Sequence, residues 1–231
     1  MLHSGCPRRA SALAMDSIDP APSADPGPDI DALREAIASG DPARAMPALA
    51  GLREVAEDRA IPLLLLGLEQ TTFMVRSLAC AGLGVKRSES GRQALERSLR
   101  EDADANVRAE AANALVSHGV ERAWPLLRAT FEVDHHWLVR CSILSALAEH
   151  PQMAPERLLD LAELALQDGD GTVRVGGAEI LGRLVREGAG ETSPGSSGPL
   201  EPWERARILL GELQADPDHR VVAAALDGLQ G

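Results

Sequence analysis

Few side chains in this 231-residue sequence have the types and spacing for chemistry. His135-His136-Trp137 is the one compact cluster. Imidazole binds metals and changes charge near neutrality. A metal needs three or four converging ligands, however, and adjacent histidines at a helix start diverge. The plainer reading is a turn and helix cap, with Trp137 packed on the neighbouring unit. The cluster also suits a protein contact, where Trp is favoured. Cys80 and Cys141 are candidate thiol ligands, but they sit at different offsets from the repeat described next and form no row. Buried structural thiols are the reading this favours. No Gly-rich phosphate loop or Gly-x-Ser-x-Gly elbow occurs. The residues therefore predict no catalytic, cofactor or metal site.

The residues that recur at fixed spacing are structural in type. Val75-Arg76, Val107-Arg108, Val139-Arg140 and Val173-Arg174 place their arginines 32, 32 and 34 residues apart. A fifth copy, Val221-Val222, keeps the valine and loses the arginine. Self-similarity at this period predicts a solenoid of stacked units, each touching only its neighbours. Such a surface holds partners without naming them.

The elements that position these residues read as paired helices. The first pair spans about Ile30–Ser39 and Pro42–Ala56. Outer, or A, helices follow at about Ala60–Glu69, Gly91–Arg100, Arg122–Phe131, Pro155–Gln167 and Trp203–Gln214. Inner, or B, helices lie at about Phe73–Leu83, Ala105–Ser117, Trp137–Glu149, Thr172–Arg186 and His219–Leu229. Pro62, Pro125 and Pro155 are placed near A-helix starts, where a missing N–H matters least.

The B helices align column by column. The valines, then Ala79, Ala111, Ile143, Gly177 and Ala225, then Leu83, Leu115, Leu147, Leu181 and Leu229 stand at i, i+4 and i+8. That is one helix face and predicts the core stripe. Six residues after the arginine column come Gly82, Ala114, Ala146, Ile180 and Gly228, mostly small, which lets neighbouring backbones approach. Four before it stand Thr72, Asp104, His136, Asp170 and Asp218. Thr and Asp there are good N-caps. Asp104 and Asp170 could also pair with Arg76, Arg108, Arg140 or Arg174 as a ladder along the stack. Isolated surface pairs contribute about 0–1 kcal/mol each, so the ladder is expected to set register more than stability.

Composition narrows the rest. A formal charge of −12 argues against a grip on nucleic-acid phosphates. Aromatics are 2 % and Tyr is absent, so the core must be Leu, Ala, Val and Ile. Cys6, Cys80 and Cys141, an odd and sparse set, fit a reducing compartment. No apolar run reaches membrane-span length, and Met1–Ala14 has no apolar segment of secretory type. The expected compartment is the cytoplasm. Residues 1–28, rich in Pro, Ser, Ala and Asp, read as a disordered tail, within which Met15 is an alternative start. Residues 29–231 read as the solenoid, interrupted by a Gly/Ser/Pro loop at 188–200 that lengthens the last step to 48 residues. The loop reads as tolerated.

Two phrases carry a family resemblance: Asp104-Ala-Asn-Val-Arg-Ala-Glu-Ala-Ala-Asn-Ala-Leu115 and Asp170-Gly-Thr-Val-Arg-Val-Gly-Gly-Ala-Glu-Ile-Leu181. They resemble HEAT repeats, more closely the short HEAT-like class named after phycobilisome lyases, over about residues 41–231. This implies an all-α, right-handed α-α superhelix of about six helical pairs. The stretches Phe73–Lys86, Asn106–Asn113 and Asp134–Leu144 resemble cyanobacterial HEAT-repeat proteins, including one that partners an A-type iron–sulfur carrier. That resemblance implies a cyanobacterial adaptor near iron–sulfur assembly. Deoxyhypusine hydroxylases built on such repeats need His-Glu pairs for two irons. No His-Glu dipeptide occurs here, and Glu149-His150 runs in the reverse order.

In solenoids the B helices line the concave wall, the usual binding surface. Two and five residues after the arginine column stand Leu78/Ala81, Glu110/Asn113, Ser142/Ser145, Gly176/Glu179 and Ala224/Asp227. This predicts a wall that is apolar at its N-terminal end, then polar and acidic. The function expected is a non-catalytic adaptor binding another protein through Glu110, Asn113, Ser142, Ser145 and Glu179. His135, His136 and Trp137 would lie at the rim and the arginines would be scaffold. The alternative is a phycobilin lyase subunit or phycobilisome-processing protein acting on bilin-bearing phycobiliproteins. Only that alternative brings in a bilin; no cofactor, nucleic acid or membrane is expected otherwise.

Overall fold

The computed structural model describes residues 29–188 and 200–230. The tail at 1–28 and most of the 188–200 loop, including Cys6 and Met15, lie outside the described residues. Twelve α-helices and no strand occur among those described. They form six pairs: α1 (Ile30–Ala38) with α2 (Pro42–Gly51), α3 (Glu57–Leu68) with α4 (Phe73–Val85), α5 (Glu89–Glu101) with α6 (Ala105–Val116). Then follow α7 (Val120–Val133) with α8 (Trp137–Ala148), α9 (Pro155–Leu166) with α10 (Gly171–Gly188), and α11 (Pro202–Glu212) with α12 (His219–Gln230). The chain is an all-α solenoid. No helix among the described residues is long and apolar enough to cross a membrane.

Helix ends follow the capping residues. Asp29, Asp41, Ser88, Asp104 and His136 each accept a backbone N–H of the first turn through the side chain. Asp170 and Asp218 do the same for Thr172 and Arg220. Thr72 stands at the cap of α4 without a side-chain bond. Pro155 opens its helix, but Pro62 and Pro125 stand at the sixth residue of α3 and α7 rather than near the start. Proline there has no N–H to donate to the carbonyls of Asp58 and Glu121.

The stripe read from the sequence is the core. Val75, Val107, Val139, Val173 and Val221 are no more than 1 % exposed. Leu83, Leu115, Leu147 and Leu181 are buried behind them, with Leu229 half-buried in the last unit. Cys80 is fully buried, while Cys141 is half-buried on the B row.

Neighbouring B helices pack along their length, whereas most A helices touch the next A helix sparsely. Small residues permit this. A Cβ on Gly84 would lie 3.1 Å from Ala114 Cα, and one on Gly182 would lie 2.9 Å from Gly228 Cα. Close packing on one row and loose packing on the other curves the stack around the B helices. Their free faces form the inner wall.

Candidate functional site

Two sets of polar residues organise the B helices, one at the edge of the wall and one on its surface. At the edge, each Val-Arg arginine reaches in two directions. Arg108 Nε and Nη2 donate to Asp134 Oδ2 and Oδ1 at 2.7 and 3.1 Å. Its Nη1 donates to the carbonyls of Asp102 and Ala103 in the loop before its own helix. Arg76 binds Asp102, Arg140 binds Asp168 and Arg174 binds Asp216 in the same two-point fashion, each with an Nη1 bond back to its own loop. The Oδ1 atoms of Asp102, Asp134, Asp168 and Asp216 also accept the N–H two residues on. One side chain thus ties two consecutive loops and shapes both.

The ladder departs from the sequence reading in its acidic partner. Asp104 and Asp170 cap their own helices and bind no ladder arginine. The rungs use the aspartates two residues earlier, because the guanidinium lies against the loop and not against the helix end. The eight ladder side chains are 8–17 % exposed, so these are not surface pairs. Breaking a largely buried pair costs more than an exposed pair contributes, and the ladder therefore carries stability as well as register.

Electrostatics agree with that geometry. Asp102 and Asp134 lose hydration, which pushes their carboxyls up. The guanidinium hydrogen bonds and the loop N–H together outweigh this and hold both below the usual carboxylate range. The Arg174 hydrogen bond holds Asp216 low in the same way.

The surface set is the row foreseen for a partner. Asn113, Ser145 and Glu179 are exposed, and Glu110 and Ser142 are half-buried. They occupy matching register on α6, α8 and α10. Burial pushes the Glu110 carboxyl above its ordinary value. Asn113 and Ser145 open into a broad groove of about 1120 Å³ on the side away from the ladder. Glu149, His118, His150, Arg87 and Arg122 share that groove. Glu110, Ser142 and Glu179 lie outside it. Sequence reading had not joined these two histidines to the wall, since they lie in loops between units.

His135, His136 and Trp137 stand at the ladder edge at the start of α8, all exposed. His136 Nδ1 accepts the Leu138 N–H at 3.3 Å, so the cap reading holds. Trp137 is not enclosed by a neighbouring unit. It is 44 % exposed and stacks on His136 with ring centroids 6.1 Å apart. Phe73, 38 % exposed, holds the same register on α4 and had no sequence signal beyond that column. Among the described residues, no group of three His, Cys, Asp or Glu is placed to hold a metal ion.

Residues 61–148 match the family of HEAT repeats. That stretch runs from α3 to α8 and includes two rungs of the ladder. HEAT repeats point to a scaffold or protein-binding role. No curated protein matches the chain. Among solved structures the chain is similar to human deoxyhypusine hydroxylase in complex with glycerol, at 15 % identity and a TM-score of 0.45, over 87 % of this chain and 96 % of that one. A likeness at that level carries no argument about activity.

Proposed function

We propose that the chain is a non-catalytic scaffold whose inner wall holds a protein partner through Glu110, Asn113, Ser142, Ser145 and Glu179, with His135, His136 and Trp137 at the rim. One observation carries this reading. These five wall side chains share register on three consecutive B helices, yet none makes a hydrogen bond or ion pair among the described residues. The arginines and aspartates of the ladder are wholly used by the fold; the wall row is not. Polar groups that the fold leaves free, on a rigid and regular surface, are suited to recognition.

The resemblance seen in sequence makes an A-type iron–sulfur carrier the first purified partner to test. No observation favours the bilin-processing alternative.

The test is affinity capture with the full chain and with the Glu110→Arg/Glu179→Arg variant, read by mass spectrometry, alongside binding of the purified carrier. The variant should lose the captured partner while its circular dichroism is unchanged. Capture that survives the double charge reversal overturns the placement.

A further inference from the structure

The wall is not uniform along its length. On α4 the free face carries Met74, Leu78, Ala81 and Val85 at i, i+4, i+7 and i+11, with no polar side chain among them. Met74 is 44 % and Val85 55 % exposed. The same register holds Asn106, Glu110 and Asn113 on α6 and Ser117 at its C-cap. On the neighbouring α2, Ala43, Pro47 and Ala50 are exposed and extend the apolar face. Between α2 and α4 lies a cavity of about 280 Å³, floored by Leu49, Leu52, Leu64 and Gly82 and flanked by Leu78 and Ala81. It is small for a drug-sized ligand, whose pockets begin at about 300 Å³, but has room for one or two large aliphatic side chains.

The charge at this cavity is opposite to that of the chain. Its lining includes Arg53 and Lys86 and no carboxylate, in a protein of net charge −12. Lys86 is the one lysine of the sequence, and its Nζ donates to the Arg53 carbonyl at 2.7 Å. That bond brings the ammonium to the Arg53 backbone at the cavity. Contiguous exposed apolar surface beside two cations is what a partner with apolar anchors and adjoining carboxylates would complement.

We propose that the α2–α4 end of the wall takes an acidic amphipathic helix of a partner protein. One large apolar side chain enters the cavity, and others on the same face lie along Met74, Leu78 and Val85. Carboxylates next to the anchor meet Arg53 and Lys86. This is the helix-in-groove mode, in which anchors at i, i+3/i+4 and i+7 supply affinity and flanking charge supplies orientation. The proposal deepens the scaffold reading and rests on the wall being the binding surface, but it uses different residues, so the two can fail separately.

The probe is a fluorescein-labelled synthetic helix of about 16 residues, built from Leu anchors, Ala and Gln with a Glu pair beside the central Leu, and read by polarisation with the full chain. Two control peptides replace Glu by Lys, or Leu by Ala. The Glu peptide should bind saturably. The Lys peptide should bind at least tenfold more weakly, and the Ala peptide not at all. Ala81→Arg and, independently, the exposed Val85→Asp should each weaken binding at least tenfold with unchanged circular dichroism. Arg53→Glu/Lys86→Glu should reverse the preference toward the Lys peptide. Glu110→Arg/Glu179→Arg should leave the affinity within about threefold of the parent, which separates this site from the polar row. Equal binding of the Glu and Lys peptides, indifference to both wall substitutions, or no saturable binding below about 1 mM overturns the proposal. Tighter binding by a peptide of residues 1–28 also overturns it, by assigning the cavity to the chain's own N-terminal segment.

Discussion

Arg174 and Asp216 stand 42 residues apart in sequence, yet Nε and Nη2 meet Oδ2 and Oδ1 at 2.9 and 3.0 Å. The rungs of the regular units, 26 or 28 residues apart, have the same two-point form. The segment inserted after α10 therefore leaves the junction between the fifth and sixth units unchanged. Loop length adds closure entropy only slowly, and a bidentate contact with fixed geometry restores the register once the helices meet.

Removing Arg108 leaves the largely buried carboxylate of Asp134 with only its loop N–H bond, and frees the Asp102 and Ala103 carbonyls. Arg108→Ala should lower unfolding stability by about 2–4 kcal/mol. Adding Asp134→Ala should cost less than the sum of the single changes, because the orphaned charge is gone. Urea unfolding of the two single variants and the double variant reads both effects. Strict additivity would mean that the rung is only a surface pair.

Two opposite pH slopes follow from the carboxyls. Asp102, Asp134 and Asp216 titrate lower when folded than when unfolded. Between those values the unfolded chain binds more protons, so stability rises with pH; it is complete above the ordinary range near about pH 4 and is lost as pH falls through the folded values. Glu110 titrates higher when folded. There the folded chain binds more protons, and stability falls as pH rises from the ordinary value through the folded one. Glu110→Gln should remove that second slope and raise the melting midpoint at pH 7 relative to the parent. Thermal melts from pH 3 to pH 8 of parent and variant test the sign.

The glycine positions separate packing from propensity. Gly182→Val should destabilise by about 1–3 kcal/mol, since its side chain would press on the Gly228 backbone. Gly211, late in α11, has open space around it. Gly211→Ala should stabilise by about 0.5–1 kcal/mol through helix propensity and reduced unfolded-state freedom. Guanidinium unfolding of both variants distinguishes the cases.

The two described thiols should differ in alkylation. Cys80, raised to about 12 by burial and fully enclosed, should react only as the protein opens. Cys141, half-buried and raised to about 11, should react in the native state on the order of a hundredfold more slowly than a free thiol at pH 8. Mass-resolved iodoacetamide labelling over time reads both rates.

The fold was legible because the repeat writes each structural column several times. Val, Ala and Leu at i, i+4 and i+8 define a face whatever the tertiary context; of the mostly small column Gly82, Ala114, Ala146, Ile180 and Gly228, Ala114 and Gly228 do meet the next B helix closely, at Gly84 and Gly182, whereas Gly82 faces Leu64 of α3. The ladder was half-read. The position six before the arginine holds Gln70, Asp102, Asp134, Asp168 and Asp216, a more regular acidic column than the caps two residues later. Helix-capping rules drew attention to Asp104 and Asp170 because local bonds are easier to anticipate than contacts between units. The wall's polar row was readable from period alone. The cavity between α2 and α4 was not, since it depends on how Leu49, Leu52 and Leu64 fill the space beneath Ala81 and Gly82. Trp137 was expected to be packed on the next unit; its ring is 44 % exposed and stacks on His136, a local contact that the repeat pattern does not encode.

The spacing of the two helix rows has a mechanical consequence. Where Gly84 meets Ala114 and Gly182 meets Gly228, backbone already touches backbone, so greater curvature is sterically blocked. The outer row is bridged in its second half by long side chains, as in Arg128–Asp160 and Arg205–Glu163, which can shorten or lengthen by changing rotamer. The close backbone row therefore sets an upper limit on the curvature of the stack, and the side-chain bridges of the outer row leave that limit untouched.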